Sequence, residues 1–325
     1  SGGSSGSGGN SSSSSGGAGG VGANILDSYA TIMHPPTIIT TILQSVEKLF
    51  DIFIQTIHKH LLSDGVENML VHKVVQLYID MSVVTHTLDC VWMMVEEFIC
   101  STYPTTPTLS SLPMYTKVRQ SVYTKCTKFV QTIYDMMVEV VIYKVTALLD
   151  SIQFIDFEPN SLPAHNPSQS SGHVHEYIFM LVDYLTSTFS LLVHLPSIQQ
   201  QSLFYLVFTK ISSILLEFLI SNMTRWNIYT ILAFDADIKR LVSFAETYKH
   251  ITPDIHVCFM ELHQLFKVLL HADLPSIVDN SAGRHQHFPY VSTDKLATLI
   301  DKVRGVEFVC LCLYVCLVSL CILSF

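Results

Sequence analysis

Apolar residues recur at helical spacing along most of the chain, in long segments separated by prolines, glycines and Ser/Thr clusters. In 114–150 most steps are of three or four residues, the spacing of one face of an α-helix. Val and Ile are frequent, which favours strands by propensity, but these segments are longer than ordinary strands. The pattern therefore predicts an all-α protein. The positions in 114–150 are Val118, Val122, Phe129, Val130, Ile133, Met137, Val140, Val141 and Val145.

Breaks in this pattern predict where each helix begins and ends. Ser63-Asp64-Gly65 closes the first helix, and the Pro/Thr-rich segment 101–113 ends the second. Thr252 and Pro253 are predicted to be the N-cap and first-turn proline of a helix that ends near His271. The predicted helices cover 37–62, 66–100, 114–150, 178–195, 204–218, 235–248 and 255–271, and a last one begins at Ser292.

Composition breaks predict two helical subdomains. Residues 1–24 are a Ser/Gly-rich leader that cannot bury apolar surface, so we expect it to be disordered. The Pro-, Gly- and Ser-containing segment 159–173 is a predicted linker. It would separate an N-terminal subdomain, 37–158, from a C-terminal one, 174–304. We expect the two to form an elongated stack of helical bundles.

The charge balance and the cysteines limit the function classes. The chain has 18 Lys+Arg against 27 Asp+Glu, a formal charge of -9, which argues against nucleic acid and anionic lipid as partners. Four cysteines stand apart in the body, namely Cys90, Cys100, Cys126 and Cys258, without the spacing of a zinc knuckle or a disulfide framework. A reducing cytosol is the simpler interpretation.

No constellation for catalysis, a cofactor or a metal is recognisable. The chain lacks HExxH, GxSxG, Walker and GxGxxG patterns, so we predict that it is not an enzyme and has no cofactor. His173 and His175 could chelate in an extended conformation, but no third ligand is indicated, and a polar linker is favoured. Asp235 and Asp237 are interpreted as charges on an exposed helix face. We therefore expect a protein that acts by binding.

Several segments of the second half resemble one known family. Asp183 to Phe189, followed by His194-Leu195-Pro196, resembles a segment of exocyst complex component six in which a helix carries Leu-x-Ser-Thr-Phe and stops at His-Leu-Pro. Later segments are similar to that subunit in the same order, and the first half matches more thinly. These later segments are 215–219, 234–237 with 244–245, 259–265 and 290–304.

The resemblance implies a subunit that tethers secretory or recycling vesicles to the plasma membrane before fusion, as effector of a GTP-bound Rab GTPase. Other exocyst subunits would be its partners, and it would be cytoplasmic, peripheral at vesicles and exocytic sites. In this family the Rab-binding surface lies in the carboxyl-terminal subdomain. We place it on the helix 255–271, with Phe259, Leu262, Phe266 and Leu269 as its core face. The residues expected at its polar rim are Glu261, Gln264, Lys267, His271 and Asp273.

Two departures from the family pattern bear on this hypothesis. Relatives carry a Trp-Asp-Trp cluster where this chain has His271-Ala272-Asp273-Leu274-Pro275, and large aromatic anchors often supply interface hot spots. After Arg304 the family pattern gives way to the apolar segment 305–325. That segment is either a tail anchor, which would make the chain a membrane protein with a cytosolic helical interaction domain, or a gene-model artefact, which the abrupt switch favours.

Overall fold

The computed structural model describes residues 35–63, 65–102, 112–156, 174–271 and 274–303. The predicted all-α class is confirmed, since these residues contain eleven α-helices and no strand. The helices are α1 (Pro35–Ser63), α2 (Gly65–Asn68), α3 (Val71–Thr102), α4 (Pro113–Leu149), α5 (Glu176–Leu192), α6 (Ser197–Glu217), α7 (Ile228–Glu246), α8 (Met260–Leu269), α9 (Leu274–Asp279), α10 (Ser281–His287) and α11 (Thr293–Asp301). Short 3₁₀ turns cover Asp150–Phe154 and Ile255–Phe259.

The described residues fall into two compact units. The first contains those up to Lys59 together with Val84–Lys128, and the second contains His60–Val83 and those from Phe129 onward. The unit boundaries lie within α1, α3 and α4. The predicted leader, the predicted linker 159–173 and the apolar segment 305–325 lie outside the described residues, so a division at that linker stays a prediction.

Three helices supply the core of the first unit. Trp92 of α3 is buried, and its ring meets that of Tyr115 of α4 edge to face, with centroids 5.6 Å apart. At the surface, Lys125 lies 3.0 Å from Glu47 and 2.8 Å from Asp51. The remaining buried members of this core are Ile39, Leu43, Leu88, Ile99, Val118, Val122 and Cys126. Because the ion pairs are partly exposed, we attribute the unit's stability mainly to the apolar core.

A cluster of aromatic side chains lies in the core of the second unit, and we call it the aromatic core. Phe189 of α5 stacks on Phe204 of α6 with ring centroids 4.0 Å apart. Tyr248, just after α7, meets Phe189 edge to face at 5.0 Å, and Phe208 meets Phe259 in the same way at 5.8 Å. The apolar stripes predicted in α5 and α6 therefore do face a common core. Such ring pairs add to the free energy gained from burial alone.

The helix boundaries follow the predictions where a strong stop signal is present. α1 ends at Ser63, and Gly65 has a φ of 66°, the left-handed conformation that glycine adopts at little cost. The single helix predicted over 66–100 is instead two, α2 and α3, separated at Met69 and Leu70.

Two other boundary predictions are wrong. α7 begins at Ile228, seven residues before the predicted Asp235, because Asn227 caps it by accepting a hydrogen bond from the Thr230 N–H at 3.1 Å. Thr252 does not cap an α-helix, since residues 255–259 form a 3₁₀ turn and α8 starts only at Met260. The buried Thr252 hydroxyl has no hydrogen-bond partner among the described residues.

One helical stretch in the described part of the chain, Ser197–Asn222, is long and apolar enough to cross a membrane by those two criteria alone. Half of its most apolar window is buried inside the protein. Phe204, Val207, Phe208 and Ile211 are fully buried in the aromatic core. A core helix of a soluble protein passes the same length and composition test, and the packing of these side chains agrees with the prediction of a core helix.

Phe208, in the aromatic core of the second unit, should contribute strongly to the stability of that unit. We expect Phe208→Ala to lower the free energy of unfolding by about 3–5 kcal/mol, because it removes a buried ring and leaves a cavity. The measurement is urea unfolding followed by the fluorescence of Trp226, in a Trp92→Phe background that leaves a single tryptophan. Leu206→Ala, on the exposed side of the same helix, is the control and should cost less than about 1 kcal/mol. Equal losses for the two variants would contradict this assignment of the core.

Candidate functional site

The core face predicted for α8 is confirmed. Phe259, Leu262, Phe266 and Leu269 are at most 1% exposed. The ring of Phe266 meets that of Trp226 edge to face, with centroids 5.7 Å apart. Leu265 and Val268 are also buried, so the helix is enclosed on most of its circumference. Its accessible surface is therefore a narrow polar edge.

The predicted polar rim divides into residues that pack inward and residues that face outward. Gln264 is buried, and its Oε1 accepts a hydrogen bond from the Tyr290 N–H at 2.9 Å. Glu261 is partly exposed and forms a 2.7 Å ion pair with Lys295 of α11. Both side chains therefore attach α8 to the segment that follows it, and Gln264 is not part of an exposed rim. Its amide completes a buried hydrogen bond, which spacing along the helix cannot reveal.

Lys267 and His271 are the members of the predicted rim that are exposed. Lys267 lies in the last turn of α8, where a cation is favoured by the carbonyl groups at the helix end. His271 follows the helix directly. Asp273 lies outside the described residues. Of the four rim residues that the structure describes, Lys267 and His271 are exposed, Glu261 is paired and partly exposed, and Gln264 is buried.

Two cavities border this edge and involve residues that the sequence analysis did not single out as binding residues. The larger, about 520 Å³, is lined among others by His271, Arg284 and His287. The smaller, about 260 Å³, is lined among others by His263, Lys267 and, again, His287. The cluster Arg284-His285-Gln286-His287 could have indicated a binding site in the sequence. α10 is too short, however, for helical periodicity to predict which of these side chains face the cavities.

Burial of His263 on α8 changes its acid–base behaviour. The pKa of His263 is lowered, first because burial disfavours the charged imidazolium and second because Lys267 is close. This side chain is therefore mainly neutral at neutral pH, and the permanent charges among the described residues of the smaller cavity are those of Lys267 and Glu246.

The interpretation of Asp235 and Asp237 as exposed charges is wrong. Asp235 is 6% exposed and pairs with Lys239 at 2.5 Å, while Asp237 is fully buried. The Oδ1 of Asp237 accepts the His175 N–H at 2.9 Å, and its Oδ2 lies 2.6 Å from His175 Nδ1 and accepts the Tyr177 hydroxyl at 2.9 Å. α7 extends further than predicted, and its longer buried face includes both acids.

This buried network accounts for the histidine that had been considered as a metal ligand. His175 precedes α5 and is engaged with Asp237, whereas His173 lies outside the described residues. Burial and the nearby carboxylate raise the pKa of Tyr177 well above its usual value, so its hydroxyl remains protonated and donates. In the described ranges, no group of three or more His, Cys, Asp or Glu side chains is placed to hold a metal ion.

The sequence model of the family described as exocyst complex subunit Sec15 C-terminal matches residues 26–302. The chain belongs to this family. The Sec15 C-terminal family is part of the exocyst, a complex that tethers vesicles, so the resemblance to an exocyst subunit is confirmed. The family model names Sec15, whereas the resemblance was stated for component six, and membership of the exocyst is the part confirmed. No curated protein and no solved structure gives a significant match to the chain.

Asp237 should be a strong determinant of stability because it holds the start of α5 against α7. Asp237→Ala leaves the Tyr177 hydroxyl and the His175 N–H without their acceptor, and we expect a loss of about 3 kcal/mol or more in the free energy of unfolding. The loss is measured by urea unfolding followed by the fluorescence of Trp226 in the Trp92→Phe background. Asp183→Ala on α5 removes an exposed carboxylate and should stay within about 0.5 kcal/mol of the parent. A loss for Asp237→Ala no larger than that would mean that the network is not stabilising.

Proposed function

We propose that the chain is an exocyst subunit that tethers secretory or recycling vesicles to the plasma membrane before fusion, as the effector of a GTP-bound Rab GTPase. The observation that carries the proposal is the family match, which spans 26–302 and so covers nearly all of the described chain. The Rab partner rests on the family resemblance of the second half. Binding without catalysis agrees with a family whose members belong to a tethering complex.

The structure of α8 supplies a physical basis for such a role. A Rab changes two switch loops on hydrolysis of GTP, so a partner senses the nucleotide only through contacts that exist in one state. A rigid surface cannot rearrange to fit the other state, and it also loses little conformational entropy on binding. α8 is enclosed by buried rings, and Lys267 and His271 project from its carboxyl-terminal end into solvent. We assign the Rab contact to this end of the helix.

The same proposal gives the location and the other partners. As an exocyst subunit, the chain would bind other subunits of the complex and work in the cytoplasm, peripherally at vesicles and at exocytic sites of the plasma membrane. Its net charge of -9 supports recruitment through protein partners, since an anionic membrane surface attracts cationic proteins.

Capture on immobilised Rabs tests the proposal directly. Secretory and recycling Rabs are loaded in parallel with a GTP analogue and with GDP, and the full chain is passed over both. We expect capture on the GTP-analogue form alone. The double variant Lys267→Glu with His271→Ala should bind about tenfold or more weakly, because it removes the two exposed contacts and reverses one charge.

The double variant Lys210→Glu with His194→Ala is the matched control. Both of its parent residues are exposed in the second unit, on α6 and just after α5, and neither lines a cavity beside α8. Capture on no Rab in either nucleotide state would reject the effector role. Unchanged GTP-dependent capture of the Lys267/His271 variant would keep the role and reject this surface.

A further inference from the structure

A surface of opposite charge stands out on this acidic chain, beside α8. The two cavities described above share His287 and Phe288, so they adjoin in one groove, which we call the histidine groove. Its ionisable lining groups comprise two permanent cations, four histidines and, among the described residues, one carboxylate, Glu246. The chain as a whole has 27 acidic against 18 basic side chains, so this balance is reversed locally. The cations and histidines are Lys267, Arg284, His256, His263, His271 and His287.

Two acidic residues near the groove are paired with lysines. Glu261 is bound to Lys295 at 2.7 Å, and Asp235 to Lys239 at 2.5 Å. Each of these pairs has a net charge near zero and therefore attracts or repels a charged ligand only weakly. These two acids therefore oppose an anionic ligand little, and the described lining of the groove favours an anion.

Arg284 places a permanent charge deep in the larger cavity. Its side chain is buried, with Nη1 donating to the carbonyl oxygens of Ile277 at 3.4 Å and Val278 at 3.0 Å, and Nη2 donating to Thr293 Oγ1 at 2.8 Å. These acceptors fix the guanidinium but are uncharged. A guanidinium that lines a cavity favours an anionic ligand, which it can bind by charge-assisted hydrogen bonds.

The lining also contains the apolar surface that a peptide needs. Phe288 lies where the cavities adjoin, with Ile277 on the larger side and Val242 and Met260 on the smaller. Sites for phosphate-rich ligands such as nucleic acid or anionic lipid depend on many permanent cations, and this groove has two on a chain of charge -9. A segment with carboxylates and interspersed apolar side chains matches the observed mixture better.

We propose that the histidine groove is a docking site for an acidic peptide segment of a partner protein. Carboxylates of the segment pair with Arg284 and Lys267 and receive a hydrogen bond from the exposed His287, while apolar side chains of the segment pack on Phe288. The proposal goes beyond the Rab assignment and does not depend on it, because the groove has this chemistry whichever protein supplies the segment.

Selection from a library of random peptides displayed on phage tests the proposal without assuming a sequence. The full chain is the bait, and the selected peptides should be enriched in Asp and Glu over the starting library. Labelled synthetic copies are then measured by fluorescence anisotropy. We expect His287→Glu to weaken binding about tenfold or more, because it places a like charge at the junction of the two cavities, and Lys267→Glu to act in the same direction.

Matched controls separate the groove from a general charge effect. His194→Glu and Lys210→Glu make the same charge changes at exposed positions outside the groove and should leave affinity within about twofold. Circular dichroism shows whether each variant keeps its helices. Since His287 and Lys267 are exposed, we expect all four variants to fold.

Three results would overturn the proposal. The selected peptides could lack acidic enrichment, or acidic peptides could bind His287→Glu as tightly as the parent. Inorganic phosphate or phosphatidylserine vesicles could instead bind in a His287-dependent way while peptides do not, which would assign the groove to phosphate-bearing ligands. If acidic peptides bind as expected but no Rab is captured in the experiment above, peptide docking in the groove is supported and the effector role is rejected.

Discussion

The enclosure of α8 by apolar side chains is the constraint on which the account depends. Phe259, Leu262, Phe266 and Leu269 bury their side chains almost completely, and each contributes roughly 1.5–3 kcal/mol by leaving water. The helix therefore has little freedom to rotate about its axis. Its end, with Lys267, is held in place before any partner arrives. A surface ordered in advance loses less entropy on binding, which is the property expected of a docking site.

Buried polar groups hold the segments around this helix together. Gln264 binds the backbone at Tyr290, and the Nζ of Lys302 donates to the carbonyl oxygens of Leu219 and Ile220 at the end of α6. The Trp226 Nε1–H donates to the carbonyl oxygen of Leu299 at 3.3 Å. The bonds of Lys302 and Trp226 attach the last described helix to the end of α6 and to the residues just before α7, and Gln264 attaches α8 to the segment that precedes that helix. Among the residues that line the groove beside α8, Gln264 and Arg284 are held by hydrogen bonds as well as by packing.

Periodicity predicted the long helices and their buried faces, because an apolar stripe of four or more turns has few alternative arrangements. Periodicity did not predict the burial of polar side chains whose hydrogen-bond partners are distant in sequence. Asp237 was placed on the surface, but its partners His175 and Tyr177 are about 60 residues earlier. Gln264 was predicted at the exposed rim for the same reason, because its partner Tyr290 is also distant in sequence. α9 and α10 have six and seven residues, too few to show a period. The groove that they help to form could not be predicted.

Hydrogen–deuterium exchange of the full chain, alone and with a Rab loaded with a GTP analogue or with GDP, tests the claim of a preformed docking surface most directly. The account predicts slow exchange in α8 already in the free chain, and added protection around Lys267 and His271 with the GTP-analogue form alone. Rapid exchange throughout α8 in the free chain would contradict it. So would protection by the Rab that is confined to other helices.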